Sequence, residues 1–253
     1  MLIGRKVGQY NQQIVRPGAA ALTLTGKAPT IGVLPPLLFL NYFEGTPAAT
    51  GPFTDEVSGI TWTVDNDGGS TTFVATDKFG STSAYIPGAF PGFNTLECGQ
   101  FADLTGNSWT VEGWINFEGG ENLTNAQFGV GKVAANSALI SMSVNLTSDL
   151  MGCSVKLVSN TSGDLAASST FNLSQDIWYH MAFQHDLSGD NYECYFNGVR
   201  YIQHNGFGDI ADPDNDFLIT HNLASVGIRI GEVRGLMGLI YSGATYTVPT
   251  SSF

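Results

Sequence analysis

Polar and apolar residues alternate along most of this chain with a period of two, the mark of strands that cover one face. The clearest case is 109–117. Trp109, Val111, Gly113, Ile115 and Phe117 share one side there, and Thr110, Glu112, Trp114 and Asn116 share the other. Comparable runs predict strands at 37–43, 59–64, 71–75, 83–86, 138–146, 151–158, 177–185, 192–196, 199–203, 225–231 and 236–242. The runs at 138–146 and 151–158 read as a pair. Asn197-Gly198 separates two runs by two residues that tolerate positive φ, which predicts a type I′ hairpin. No window of about 11 residues carries the helical period of about 3.6. Many short strands divided by Gly, Asn and Asp turns predict an all-β fold, an antiparallel two-sheet jelly-roll sandwich.

The first 36 residues break this pattern. Only 21–25 alternates, and Pro17, Pro29, Pro35 and Pro36 keep the backbone extended. The chain therefore divides into an extended arm, 1–36, and a sandwich domain, 37–253. Charge sharpens the division. Arg5, Lys6, Arg16 and Lys27 lie in the arm, and no Asp or Glu precedes Glu44, so the arm carries +4. The chain as a whole is −12, so the remaining six basic and 22 acidic residues leave the body at −16. Such asymmetry predicts an arm that docks on an acidic surface, with Arg5, Lys6, Tyr10, Arg16, Leu22, Leu24 and Lys27 as the anchoring set. The plainer alternative is four scattered cations that keep a tail soluble. An acidic body also argues against nucleic acid as a partner.

Composition adds a few exclusions. Only 13% of residues are charged, so surface helix formers are scarce, while 31 Gly suit tight turns. A chain of 253 residues buries a core without staples. Cys98, Cys153 and Cys194 form neither a disulfide framework nor a zinc pattern, and Cys194 alternates with Tyr192 and Phe196 as a small core residue. The start of the chain has no apolar signal region. The most apolar stretch, 31–43, is too short to span a bilayer, so no membrane role is expected. Asn-x-Ser/Thr sequons begin at Asn122, Asn145, Asn160 and Asn172, and chance accounts for them in so Asn/Ser/Thr-rich a chain.

Several segments, in order, resemble the laminin-G-like branch of the concanavalin-A-like lectin/glucanase superfamily. Leu37-Leu38-Phe39-Leu40 with Phe43-Glu44-Gly45 resembles its opening strand, Phe53-Thr54-Asp55 with Trp62-Thr63-Val64 the next hairpin, and Lys78-Phe79-Gly80-Ser81-Thr82-Ser83-Ala84-Tyr85 the segment that follows. Trp109-Thr110-Val111-Glu112-Gly113-Trp114, Trp178-Tyr179-His180-Met181-Ala182, Tyr195-Phe196-Asn197-Gly198 and Ile228-Arg229-Ile230-Gly231 are similar to later strands. The family often closes on an acidic strand. Gly235-Leu236-Met237-Gly238-Leu239 stands in that place and lacks the acidic pair, which puts any ion site tied to it in doubt. A domain of this kind behind a short arm also resembles virion proteins of tailed bacteriophages.

The fold the resemblance implies hosts glycoside hydrolases, which need paired carboxylates ~5–9 Å apart. Glu112 has no acidic partner on its strand, so no catalytic residues and no enzymatic activity are expected. His180, His185, His204 and His221 show no zinc spacing, and His180 and His185 fall on opposite faces. Asp212, Asp214 and Asp216 alternate in an acidic loop and are the candidates for Ca²⁺, with a solvated turn as the alternative; no other cofactor is expected. Glu112 and Trp114 point away from the core face, so they are the candidate glycan contacts, unless a second layer covers them. The resemblance implies a non-enzymatic virion structural protein, a capsid decoration or cement protein anchored by its arm to a major capsid or tail protein. It would be assembled in the host cytoplasm and would be a homo-oligomer, with a trimer expected. The alternative is a carbohydrate-binding adhesin at a fibre tip that reads a host glycan.

Overall fold

The computed structural model describes residues 35–56, 59–66, 69–76, 78–80, 82–88, 93–118, 125–132, 137–146, 153–159, 163–167, 174–205, 215–222 and 227–253. The architecture below belongs to the unit Pro35–Phe253. The strands among these residues are β1 Leu37–Asn41, β2 Phe53–Thr54, β3 Thr61–Asn66, β4 Thr72–Val74, β5 Ser83–Ile86, β6 Phe93–Ala102, β7 Trp109–Phe117 and β8 Asn125–Lys132. They continue as β9 Ser137–Leu146, β10 Cys153–Ser159, β11 Gly163–Ala167, β12 Trp178–Asp186, β13 Asn191–Phe196, β14 Val199–Asn205, β15 Asn215–Asn222 and β16 Ile228–Leu236. No helix of the described residues is long and apolar enough to cross a membrane.

The strands form two antiparallel sheets. The first runs β14-β13-β12-β7-β16-β5-β4, with β1 also paired to β16; the second runs β11-β10-β9-β8-β15-β6-β3-β2. Alternate residues of both meet in one core. Trp109, Val111, Ile115, Phe117, Met181, Phe183, Ile228 and Ile230 enter it from the first sheet, and Leu96, Cys98, Phe128, Val130, Met142, Phe217 and Ile219 from the second. Phe39 stacks on Phe217 at 5.0 Å between centroids, and Trp62 meets both rings edge-on at 5.8 and 5.9 Å. Each such aromatic removes ~150–250 Å² from water. Cys194 sits in this core as a free thiol whose pKa burial raises well above its usual value, with the Glu193 charge adding to the shift.

Strand β16 is where the first sheet divides. One side pairs with β7. The other pairs with β5 over Ile228–Ile230 and with β1 over Val233–Leu236. The pairing with β7 slips between Ile230 and Val233, which leaves Gly231 and Glu232 in a bulge. Gly113 lies opposite. A Cβ there would stand 2.3 Å from Val233 Cγ1 and 2.9 Å from the Glu232 carbonyl oxygen. That contact explains why a glycine interrupts the apolar face of β7.

The hairpin between β13 and β14 turns on Asn197 and Gly198 with φ of 47° and 84°, as a type I′ turn requires. The pair β9–β10 also forms where the pattern placed it. The end of the chain differs. A strand was expected at 236–242, but β16 runs on to Leu236, and residues 237–253 leave the sheet apart from a single bridge between Thr245 and Val199. Gly238, at φ 138°, takes the chain out of the strand. Glu232 thus lies inside the closing strand, and that strand is not without an acidic residue. Strand β2 pairs with β3 at Phe53 and Trp62, as the hairpin resemblance implies, and β6, β8, β11 and β15 lie outside the expected runs. In β6 polar Asn94, Thr95, Glu97 and Gln100 surround Leu96 and Cys98, and in β8 Gly129 and Gly131 dilute the apolar signal.

The close approach at Gly113 yields a test. Gly113→Ala is expected to destabilise the fold by about 1–3 kcal/mol through overpacking. Chemical denaturation measures it, and an unchanged midpoint would contradict the packing.

Candidate functional site

Every residue of β7 is buried, so both faces of this strand are covered. The core covers one. Residues 237–253 lie as a strap across the other, and the bonds that hold it are mainly polar. Glu112, with 0% side-chain exposure, sits at the centre. Arg234 from β16 reaches its Oε1 at 2.6 Å, and His180 Nε2 from β12 lies 3.2 Å from Oε2. The Tyr241 hydroxyl of the strap donates to Oε2, and the Tyr246 hydroxyl bonds His180 Nδ1. Burial alone would raise the Glu112 pKa. The His180 ring beside it, the Arg234 charge and the Tyr241 hydroxyl outweigh it and hold the carboxyl below its usual range. Burial and the Glu112 charge push the pKa values of Tyr241 and Tyr246 up, so both phenols keep their protons.

A second polar cluster continues along the same face. Glu193 accepts from Gln184 at 2.6 Å, Tyr195 at 2.9 Å and Arg200 at 2.5 Å. Gln184 also donates to the Tyr241 carbonyl at 2.8 Å, and Tyr195 to the Gly243 carbonyl at 3.0 Å. At the far end of the strap, the Phe253 amide donates to Glu232 at 2.9 Å, and the Ser252 hydroxyl donates to the same carboxylate. The Arg234 guanidinium lies 4.1 Å from the Phe253 ring centroid.

Two open grooves border this covered area, and Trp178, the half-buried first residue of β12, lines both. The first encloses about 550 Å³, within the ~300–1,000 Å³ range of small-ligand sites. Asn116 from β7, Arg229 from β16 and Asp176 from the turn before β12 join Trp178 there. Arg229 donates to Asn116 at 3.0 Å, Asp176 at 3.0 Å and Glu118 at 3.1 Å. Glu118 also accepts from Tyr85 at 2.9 Å. Burial, aided by this bond, pushes the Tyr85 pKa up to about 12, so it remains a donor. Asp176 has φ of 56° and is 61% exposed. A carboxylate, an amide and a guanidinium are therefore fixed beside one indole, with lone pairs and N–H groups facing an open space.

A family model described as the concanavalin A-like lectin/glucanases superfamily, of laminin G type, matches residues 90–235, more than half of the chain. The chain belongs to this superfamily. No curated protein sequence matches it. Among solved structures, the carbohydrate recognition domain of Emp46p in its potassium-bound form superposes with a TM-score of 0.53 at 11% identity, over 71% of this chain and 89% of that one. Domain 4 of AbnA, a GH43 extracellular arabinanase from Geobacillus stearothermophilus, solved with arabinotriose, gives 0.51 at 16%, over 81% and 94%. A carbohydrate esterase of Shiga toxin-encoding bacteriophage phi24B gives 0.53 at 13%, over 80% and 99%. At these identities the likeness is one of fold.

Within this lectin-like sandwich the two expected glycan contacts fall on the expected face, but they are covered. Glu112 is 0% and Trp114 2% exposed. The strap takes the carboxylate, and Phe79 packs edge-on against Trp114 at 5.3 Å. Glu112 presents no surface to a sugar, and Trp114 reaches solvent only through the 2% of its surface that stays exposed. The anchoring set Arg5, Lys6, Tyr10, Arg16, Leu22, Leu24 and Lys27 lies outside the described residues, as do Asp212, Asp214 and the side chain of Asp216. No cluster among the described residues could hold a metal ion. Trp178, Asp176 and Arg229 went unread as a site because Arg229 and Asn116 lie in segments far from the 176–178 turn. The available signal was a tryptophan opening a strand directly after a polar turn.

The charge at Glu112 gives two expectations. Glu112→Ala leaves Arg234 without its buried partner and is expected to cost about 3–5 kcal/mol in denaturant unfolding. Because the folded pKa is lowered, the charge contributes stability above the ordinary carboxylate range, and that contribution is lost as pH falls through the folded pKa. The thermal midpoint of the parent protein is expected to drop more steeply on acidification than that of Glu112→Gln. Parallel curves would contradict the assignment.

Proposed function

We propose that the chain is a non-catalytic carbohydrate-binding module whose site is the groove at Trp178. The observation that carries this reading is one half-buried indole flanked by Asn116, Asp176 and Arg229. The apolar face of a sugar ring packs on an aromatic side chain while its hydroxyls exchange hydrogen bonds with fixed polar groups. Asp176 and Asn116 offer acceptors to neighbouring hydroxyls, and their contacts with Arg229 hold them in place before a ligand arrives, which lowers the ordering cost of binding. Asp176 is the one carboxylate among the described residues lining this groove, and Arg229 pairs with it. A hydrolase needs a second carboxylate across the scissile bond, so the reading is binding without cleavage. The fold shared with a carbohydrate recognition domain and with a domain solved with arabinotriose supports it.

A second reading places the module on a phage particle, as a capsid decoration protein docked through its arm. The basic, Pro-rich composition of residues 1–36 favours it, and so does the fold shared with a bacteriophage protein. The two readings are compatible, since a displayed module can carry the groove outward.

Two experiments separate them. Screened on a glycan array, the parent protein is expected to bind a restricted set of saccharides, and Trp178→Ala to weaken calorimetric binding of the best one on the order of tenfold, with an unchanged melting curve. An array without hits would overturn the carbohydrate reading. Deleting residues 1–36 is expected to abolish co-sedimentation with phage particles while glycan binding persists, and retained co-sedimentation would exclude the arm as anchor.

A further inference from the structure

The second groove lies on the other side of Trp178 and encloses about 340 Å³. Its walls come from different parts of the chain. Lys78 and Phe79 supply one, Trp114 and Trp178 of the sheet supply another, and Val248 to Thr250 of the strap close it. It therefore exists because the strap is docked. Its chemistry also differs from that of the first groove. Lys78 is exposed, with its Nζ held 4.8 Å from the Trp114 ring centroid and 5.7 Å from that of Phe79. No carboxylate among the described residues pairs with it, and none of them lines this groove. A ring face attracts the ammonium without neutralising it. In a chain of net charge −12, this groove thus presents a cation beside aromatic rings, with no carboxylate among its described lining residues.

We propose that this groove is a second subsite that takes the next unit of the same saccharide, and that Lys78 selects a unit bearing a carboxylate or sulfate. The inference rests on the carbohydrate reading of the first groove and adds the class of ligand. Trp178 is shared by both grooves and so serves as the step between adjacent units. A neutral oligosaccharide occupies the site through Trp178 and the polar groups of the first groove. An anionic one gains the contact with Lys78, and added salt weakens that gain.

The test is calorimetry with matched pairs, tetragalacturonate, 3′-sialyllactose and a hyaluronan tetrasaccharide, each as the acid and as its methyl ester. The ester keeps shape and removes charge. The acid of at least one pair is expected to bind roughly fivefold tighter than its ester at low salt. Lys78→Met preserves the stem on Trp114 and is expected to equalise that pair. Thr250→Trp, which fills the groove from an exposed strap position, is expected to do the same. Equal binding of acid and ester by the parent protein, or a preference that survives Lys78→Met, would overturn the subsite and leave the first groove standing. No binding by any of the six compounds, alongside an array without hits, would overturn the carbohydrate reading and the subsite together.

Discussion

A carboxylate with no solvent exposure in the middle of a sheet face constrains everything built around it. Glu112 cannot stay charged there unless donors replace the water it gives up. Arg234 and His180 supply part of that replacement from neighbouring strands, and the Tyr241 hydroxyl completes it from beyond the last strand. The path of residues 237–253 follows from this need. So does the protonated state of the two tyrosines, because a phenolate there would be an unpaired anion facing the Glu112 charge. The strap is thus a second layer of aromatic rings with polar tips, in which Tyr241 stacks on Tyr246 and packs with Tyr195 and Ala182. Its fastening at Glu112, Gln184 and Glu232 is directional, which fixes its register as apolar packing alone would not.

Both grooves take their shape from this layer. Where the strap crosses β12 it stops short of Trp178, and the indole is left at the boundary between covered and open sheet. On the open side, strands β7 and β16 present Asn116 and Arg229 at neighbouring register positions, since these residues pair directly across the ladder. On the covered side, the strap itself becomes a wall. One strand register and one tail place Asn116, Trp178, Arg229, Trp114 and the strap wall, and loops contribute the rest, among them Asp176, Lys78, Phe79 and Asn197.

Period-two alternation made the sandwich legible, and it also gave the correct division of β7 into two faces. It failed where the pattern is weak, as in the polar-rich β6 and the glycine-diluted β8. It failed too at 236–242, where apolar Leu236, Met237, Leu239, Ile240 and Tyr241 belong to a strand end and a strap. Alternation says which residues share a face and does not say what lies over that face. Glu112 and Trp114 were therefore placed on the side away from the core, while the choice between a glycan contact and a covered second layer stayed open in the pattern. The groove residues are far apart in sequence, and only the pairing of β7 with both β12 and β16 gathers them. The arm and the acidic loop at 209–216 rest on composition alone.

The strap has one more consequence, for colloidal behaviour. Exposed strand edges invite other chains to add on. Strand β14 is an outer strand of the first sheet, and the strap meets its beginning: Arg200 donates to the Ala244 carbonyl at 2.8 Å, and Val199 bridges Thr245. At the opposite edge, Phe73 of β4 exchanges backbone bonds with Ala48 and Ala49 at 2.8 and 2.9 Å. The molecule thus occupies part of both borders of this sheet with its own backbone. At these stretches of the first sheet, a neighbouring copy meets backbone that is already paired, which blocks the edge-to-edge zippering that turns crowded β-proteins into fibres.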